Sequence, residues 1–134
     1  GRPQKIDRQE IIGAVAAAKI WMNMNHEDRL AKAEKTCSVI ASYLKGIDGV
    51  DVEIQENTIG HDPHGVKITL TKEGASLVSV QEALKNGNPR IWMRCDQDLD
   101  GNYDGNLARI SPFGLYPGED EIVGSRLSEE LKKL

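Results

Sequence analysis

The sequence lacks the features that mark a membrane, secreted or nucleic-acid-binding protein. No apolar run approaches the roughly 18 residues that span a bilayer, and the first ten residues lack the apolar middle region of a signal peptide. The 17 basic and 21 acidic residues are interspersed and give a net charge of -4, so there is no basic stripe to follow phosphates. We therefore expect a cytoplasmic protein that binds neither nucleic acid nor a membrane.

Cysteine and catalytic motifs are also scarce. Cys37 and Cys95 are too few for a disulfide framework and are not spaced as a metal-binding pair, so we interpret both as buried thiols. The sequence has no Gly-rich phosphate loop, no Ser or Cys nucleophile with an evident base, and no lysine in a recognisable cofactor setting. Taken alone, the chain lacks a complete catalytic constellation.

The N-terminal third has helical periodicity. With 134 residues the chain is long enough for one compact core. Asp7 and Glu10 form a capping-box pair that predicts a helix over about 8–24. Asn25 is placed to cap a second helix that ends at Gly46. These two helices nearly abut, which predicts a long bent pair.

The remainder alternates between strand and helix patterns. A period of two over 50–55 and 66–70 predicts two strands, and "RIWMRC" (90–95) and "NLARIS" (106–111) predict two more. Ser76 and Gly87 bound a short helix, and the last 18 residues predict a helix with acids in its first turn and lysines in its last.

The predicted fold is therefore α+β. It is an antiparallel sheet of about four strands, covered on one face by helices and preceded by the long bent helix pair. We divide the chain into an N-terminal helical segment, 1–46, which joins domains, and an α+β small domain, 47–134.

The stretch "CDQDLDGNYDG" (95–105) resembles the start of a calcium loop, with Asp96, Asp98 and Asp100 at alternate positions and Gly101 at the sharp turn. Leu107 stands where the loop requires a bidentate Glu, which makes these aspartates weak metal candidates. Since the stretch lies between two predicted strands, a hairpin loop is the favoured interpretation.

Two other groups carry possible chemistry. His61 and His64 in "GHDPHG" are able to form a metal site with Asp62, although ligands so close in sequence rarely converge on one ion, and a solvated loop is favoured. Arg94 and Arg109 lie on the two strands that flank the acidic stretch. A planar guanidinium on a strand can bind a carboxylate bidentately, but a strand arginine is more often a solvated edge residue or a structural ion-pair partner.

Several whole segments carry a family resemblance. They are a Gly-Arg-Pro-x-Lys opening, an acidic pair entering an apolar helix, a His-Glu at the next helix start, and the tail "ARISPFGLYPGEDEIVGSRL" (108–127). In these the chain resembles the selenocysteine-synthase-like branch of fold-type I pyridoxal-phosphate enzymes. This branch includes L-seryl-tRNA(Sec) selenium transferase relatives and D-glucosaminate-6-phosphate ammonia-lyase-like proteins. The resemblance extends over nearly the whole chain.

The resemblance implies the C-terminal small domain of a longer lyase or transferase that acts on an amino acid or amino-sugar acid. The cofactor lysine would then lie in a large pyridoxal-phosphate-binding domain outside these residues, so that the domain is inactive alone. A homo-oligomer is implied as well. Arg109 in "ARIS" matches the arginine that binds the substrate carboxylate, and Arg94 is a weaker candidate. Arg2 and Lys5 are candidate contacts with the cofactor or with the other domain.

A second hypothesis belongs to a different class. The same fold is able to serve as a free-standing binding module that takes a cation in the acidic loop 96–104.

Overall fold

The computed structural model describes residues 7–56, 64–97, 103–112 and 114–134. Within these residues the sheet is antiparallel, with the strand order β1-β2-β4-β3. The α+β class and the antiparallel sheet predicted from the sequence are confirmed. The elements are α1 (Arg8–Met22), α2 (His26–Leu44), β1 (Val50–Glu56), β2 (His64–Leu70), α3 (Leu77–Lys85), β3 (Cys95–Gln97), β4 (Tyr103–Ile110) and α4 (Glu119–Leu131).

Local capping sets where three of the helices begin. The Asp7 carboxylate accepts from the backbone N–H of Glu10 at 2.9 Å, and the Glu10 carboxylate accepts from the N–H of Asp7 at 3.1 Å, which completes the predicted capping box. Asn25 caps α2 and Ser76 caps α3, each by accepting from a backbone N–H of the first turn. These three predicted starts are confirmed.

The sheet has one apolar face and one wet face. Val52, Ile68, Ala108 and Cys95 are successive cross-strand partners, so their side chains form one row across all four strands. Ile68, Ala108 and Cys95 are almost fully buried, and Val52 packs against them. The neighbouring row on the other face contains Glu53, Lys67 and Arg109, so that face carries the charged residues of the strands.

Helices α2, α3 and α4 enclose the core. Helix α2 packs on β1 and β2, α3 packs on β4 and β3, and α4 contacts both helices. Both cysteines are buried in this core, as predicted. Its largest fully buried side chains are Ile40, Leu44, Ile68, Leu77, Leu84, Leu127 and Leu131.

Helix α1 differs from the others because none of its residues is buried. Ile12 is 68% exposed and Met22 is 82% exposed. Asn23 ends α1 and Asn25 begins α2, so the two helices are separate elements joined by a short break. No helix in the described part of the chain is long and apolar enough to cross a membrane.

Two predicted boundaries are wrong. Residues 90–94 alternate like a strand, but β3 begins only at Cys95, because the N–H of Ile91 donates to the Leu84 carbonyl of α3 at 3.1 Å instead of joining a ladder. Helix α4 has its acids in the first turn, yet its last turn contains no basic residue. Lys132 is the C-cap residue and Lys133 follows it, so the lysines lie just beyond the helix and not in its last turn.

The packing of α2 against α4 depends on Gly124. A Cβ placed at Gly124 would lie 2.6 Å from Cδ2 and 3.2 Å from Cβ of Tyr43, so the base of that side chain would have to move. We expect Gly124→Ala to lower the free energy of unfolding by about 1–3 kcal/mol in urea denaturation.

Gly13→Ala in α1 is the matched control, since no atom lies within 4 Å of its Cβ position. This change should be neutral or stabilising by up to about 1 kcal/mol, because alanine has the higher helix propensity. Equal effects of the two substitutions would show that the contact between α2 and α4 at Gly124 does not limit stability.

Candidate functional site

A pocket of about 440 Å³ opens where the sheet ends beside β3 and β4. Its walls come from three parts of the chain, namely the extended segment before β3, the end of β4 with the following turn, and the first half of α4. This volume lies in the range of small-molecule sites. The lining residues are Leu84, Pro89, Arg90, Ile91, Trp92, Met93, Arg94, Arg109, Ile110, Ser111, Leu115, Glu119, Ile122, Val123 and Leu127.

The segment 90–94 forms one wall through its alternation. Ile91 and Met93 pack against the core, whereas Arg90, Trp92 and Arg94 are exposed. The segment is fixed at one end by the bond from Ile91 to α3. At the other end the backbone N–H of Cys95 donates to the Gln81 side chain of α3 at 3.1 Å. An extended backbone held at both ends therefore presents an indole between two guanidinium groups.

The structure brings both predicted arginines to this pocket. Arg94 immediately precedes β3, and Arg109 lies near the end of β4. Since Cys95 pairs with Ala108 in the antiparallel ladder, continuing the register by one residue sets Arg94 beside Arg109. Both residues also take part in further polar contacts. Their roles toward a substrate stay a prediction.

The charge of the lining is mostly positive. Arg90, Arg94 and Arg109 line the pocket together with one carboxylate, Glu119. That carboxylate is already used within the fold, because Glu119 Oε2 accepts from the backbone N–H of Tyr116 at 2.8 Å. In a chain whose net charge is -4, this concentration of guanidinium groups favours an anionic ligand.

A second pocket of about 470 Å³ adjoins the first and shares Trp92, Met93 and Arg94 with it. Here the Lys85 ammonium lies 5.4 Å from the centre of the Trp92 ring, and the same ammonium is 3.7 Å from a carboxylate oxygen of Glu82. The exposed indole is therefore in contact with a cation that is itself ion-paired.

Arg90 and Trp92 were not identified from the sequence as site residues. The signal was present in "RIWMRC", because a strict alternation places Arg90, Trp92 and Arg94 on the same side of an extended segment. That pattern does not show which other elements face the segment, and the pocket depends on α4 for its opposite wall.

The remaining candidates stay predictions. Arg2, Lys5, His61, Asp62, Asp98 and Asp100 lie outside the described residues, and the side chains of His64 and Asp96 do as well. Residues Gln97 and Tyr103 pair across the ends of the antiparallel strands β3 and β4, and residues 98–102 between them lie outside the described residues. Among the described residues no group of three or more His, Cys, Asp or Glu side chains is placed to hold a metal ion.

The pocket does not fit covalently bound pyridoxal phosphate. The cofactor requires a lysine amine for its Schiff base, and the described residues lining the 440 Å³ pocket include no lysine. Lys85 belongs to the adjoining pocket and is paired with Glu82. The residues present fit the acidic group of a small ligand instead.

Cys37 is a buried thiol with a raised pKa. It lies in α2 with no exposed surface. Burial, with a smaller contribution from the negative charge of Glu34, raises the pKa of the Cys37 thiol from 9.0 to about 11. The thiol is therefore neutral in the folded protein at physiological pH, and Cys37 packs as a small apolar side chain.

The raised pKa of Cys37 predicts a loss of stability at alkaline pH. Below pH 9.0 the thiol is protonated in both states and its ionisation has no effect. As the pH rises from 9.0 to about 11, the unfolded chain ionises first, so the free energy of unfolding should fall. The loss should reach about 2 kcal/mol at the upper end.

Urea denaturation at several pH values tests this, with Cys37→Ala as the reference. The substitution should cost stability at neutral pH by leaving a small cavity, and it should remove that part of the alkaline loss. Identical pH dependence in the two proteins would contradict the assignment to Cys37.

The chain is similar to parts of two longer proteins. No family model matches the sequence. A "5'-C-glycyluridine monooxygenase-decarboxylase" from a Streptomyces species is 26% identical over 132 residues, which cover 97% of this chain and 32% of that protein. The solved structure of D-glucosaminate-6-phosphate ammonia-lyase matches 98% of this chain and 34% of its own, with a TM-score of 0.63 and 19% identity.

The described chain thus spans about a third of the length of both proteins. The structural match extends over almost all of it, which shows a common fold for the helices and the sheet together. The resemblance to D-glucosaminate-6-phosphate ammonia-lyase-like proteins seen in the sequence is confirmed, and the chain has the fold of one part of such an enzyme.

Proposed function

We propose that the chain is the C-terminal small domain of a pyridoxal-phosphate-dependent lyase or transferase that acts on an amino acid or amino-sugar acid. Its role is to bind the acidic group of the substrate at the edge of an active site that a larger domain completes. One observation carries the proposal. Arg94 and Arg109, 15 positions apart in sequence, line one pocket, and 98% of the chain matches about a third of an ammonia-lyase in fold.

In this proposal Arg109 binds the carboxylate of the substrate. It lies on a strand of the sheet and belongs to the wet row that also contains Lys67 and Glu53. A strand fixes the direction of the side chain more firmly than a loop does. A guanidinium group held in this way offers two parallel donors, which match the two oxygens of a carboxylate.

The other lining residues orient the remainder of the substrate. Arg94 is the cross-strand neighbour of Arg109 if the ladder is extended by one residue, so it can share the negative charge. Trp92 offers an exposed apolar surface against which the body of the substrate can lie. The core side chains behind the pocket exclude water from that side.

The cofactor belongs to the part of the enzyme outside this chain. When bound, pyridoxal phosphate supplies an electron-withdrawing ring that stabilises negative charge on the substrate carbon. The described residues contribute no Schiff-base lysine to the pocket, so they bind and orient the acidic end only.

The large domain is also proposed as the partner of α1. Six large apolar side chains of this helix are more than half exposed, and none of its residues is buried. So many exposed large apolar side chains on one helix favour a contact with another part of the protein. The assembled enzyme is proposed to be a homo-oligomer.

The isolated chain should not form an internal aldimine. Pyridoxal phosphate added to the chain, followed by borohydride reduction and peptide mass mapping, should label several surface lysines weakly and none stoichiometrically. The reason is that no described lysine lies in the 440 Å³ pocket. Stoichiometric labelling of one lysine, with a visible aldimine band, would overturn the proposal that the cofactor lysine lies outside this chain.

Arg109→Ala, tested in the longer enzyme with the large domain present, should lower kcat/KM by about ten- to a hundredfold, since a charge-assisted bidentate pair contributes roughly 1.5–3 kcal/mol. Arg109→Lys should restore part of the loss, because an ammonium keeps the charge but not the planar fork. The spectrum of the bound cofactor should stay unchanged in both variants.

Lys67→Ala is the matched control for Arg109→Ala. Lys67 is the cross-strand partner of Arg109 and carries the same charge, but it does not line the pocket and lies 3.6 Å from Glu53. Its loss should change kcat/KM less than twofold, as expected for an exposed ion pair. Equal losses in the two alanine variants would assign the effect to the charge of the sheet and would refute a substrate contact.

A further inference from the structure

A smaller pocket of about 200 Å³ lies on the other side of the turn that follows β4. Helix α2 supplies Arg29, Lys32 and Thr36, and the turn supplies Pro112, Gly114 and Leu115. Leu115 also lines the 440 Å³ pocket, but no charged residue is common to the two. The small pocket is therefore a separate site next to the proposed substrate site.

The three polar residues share one face of α2. Arg29, Lys32 and Thr36 are spaced by three and four, so their side chains lie above one another on the helix. The same stripe continues to Ile40, which is fully buried in the core. The sequence thus changes from apolar to cationic along one stripe of α2, at the point where the helix faces the turn instead of the sheet.

Arg29 has hydrogen-bonding capacity that the fold leaves unused. Its Nε atom is buried and has no hydrogen-bond partner. Its guanidinium carbon lies 5.0 Å from the centre of the Trp21 ring, which positions the group without accepting its N–H donors. Among the described residues no carboxylate pairs with Arg29 or Lys32. A buried donor without a partner costs free energy unless a ligand supplies an acceptor.

A cluster at the junction of α1 and α2 supports this position of Arg29. The rings of Trp21 and His26 meet edge to face with their centroids 4.6 Å apart. His26 Nε2 donates a hydrogen bond to the carbonyl oxygen of Trp21 at 2.9 Å. The arginine is therefore held by a cation–π contact and not by a carboxylate partner among the described residues.

We propose that this pocket binds a phosphate group, either as inorganic phosphate or as the phosphate of a monoester. Arg29 and Lys32 provide two positive charges, and Thr36 provides a neutral hydroxyl donor. Two cations and a hydroxyl donor along one stripe of α2 suit a phosphate dianion better than a carboxylate, because the dianion carries more charge and more acceptor oxygens. Gly114 contributes only backbone to the wall formed by the turn, since it has no side chain. No atom lies within 4 Å of its Cβ position.

Isothermal titration of the full 134-residue chain with inorganic phosphate tests the proposal, with sodium chloride used to hold the ionic strength constant. Saturable binding of one phosphate with a millimolar dissociation constant is expected. Arg29→Gln should weaken it about tenfold or more, since a charge-assisted bond and a charge are lost together. Acetate at the same concentration should bind much more weakly than phosphate.

Further variants separate the effect of the site from the effects of net charge and of unfolding. Lys35→Gln is the charge-matched control for Lys32→Gln, since Lys35 is exposed on the same helix and does not line the pocket. Lys32→Gln should weaken phosphate binding several-fold, and Lys35→Gln should leave it unchanged. Thr36→Val removes a donor without changing the charge and should also weaken binding, which covers the case in which Arg29→Gln unfolds.

Weaker phosphate binding in Lys32→Gln and Thr36→Val, together with unchanged binding in Lys35→Gln, supports the site. If the two lysine variants weaken phosphate binding equally, the effect comes from the net charge of the chain, and the proposal is overturned. Acetate binding as tight as phosphate binding, or no saturable phosphate binding, would overturn it too.

Discussion

The fold depends on a sheet that buries only one of its faces. Along each strand, alternate side chains must enter the core, and the register carries that parity from strand to strand. Ala108 lies in the buried row and Arg109 in the charged row because they are neighbours on β4. A shift of one residue in β4 would bury a guanidinium group and expose the core residue beside it. The position of the candidate site is therefore a consequence of the same parity that builds the core.

The sequence predicted those features of the structure that depend on residues close together in the chain. Asp7, Asn25 and Ser76 each begin a helix as predicted, because a cap needs only the backbone N–H groups of the next turn. Both cysteines were correctly interpreted as buried thiols. The alternation over 90–95 correctly identifies which side chains point inward. It does not identify a strand, because a strand also needs a hydrogen-bonded neighbour, and Ile91 bonds to α3 instead.

The sites were predictable only in part, and for a related reason. Arg94 and Arg109 were noted because both lie on predicted strands beside the acidic stretch, but the substrate role came from the family resemblance, and the structure places both on one pocket. The contribution of α4 to that pocket is not encoded in any short stretch. The same holds for the face of α2 that meets the turn after β4. Arg29 and Gly114 are 85 positions apart, and only the packing of α2 beside that turn brings them together.

Helix α1 shows how far local signals alone can stabilise an element. It has a complete capping box and several alanines, which favour helix formation. Yet a helix of 15 residues with no buried side chain is close to the limit of what propensity and capping sustain in water. Most helical stability in proteins comes from packing an apolar face, and Ile11, Ile12 and Val15 have no such packing within the described chain. Trp21, near the end of α1, contacts the Arg29 side chain at the cationic end of α2. The exposed helix and the small cationic pocket therefore meet at this pair, and the side chain that lines the pocket is held in part by the helix that the core does not bury.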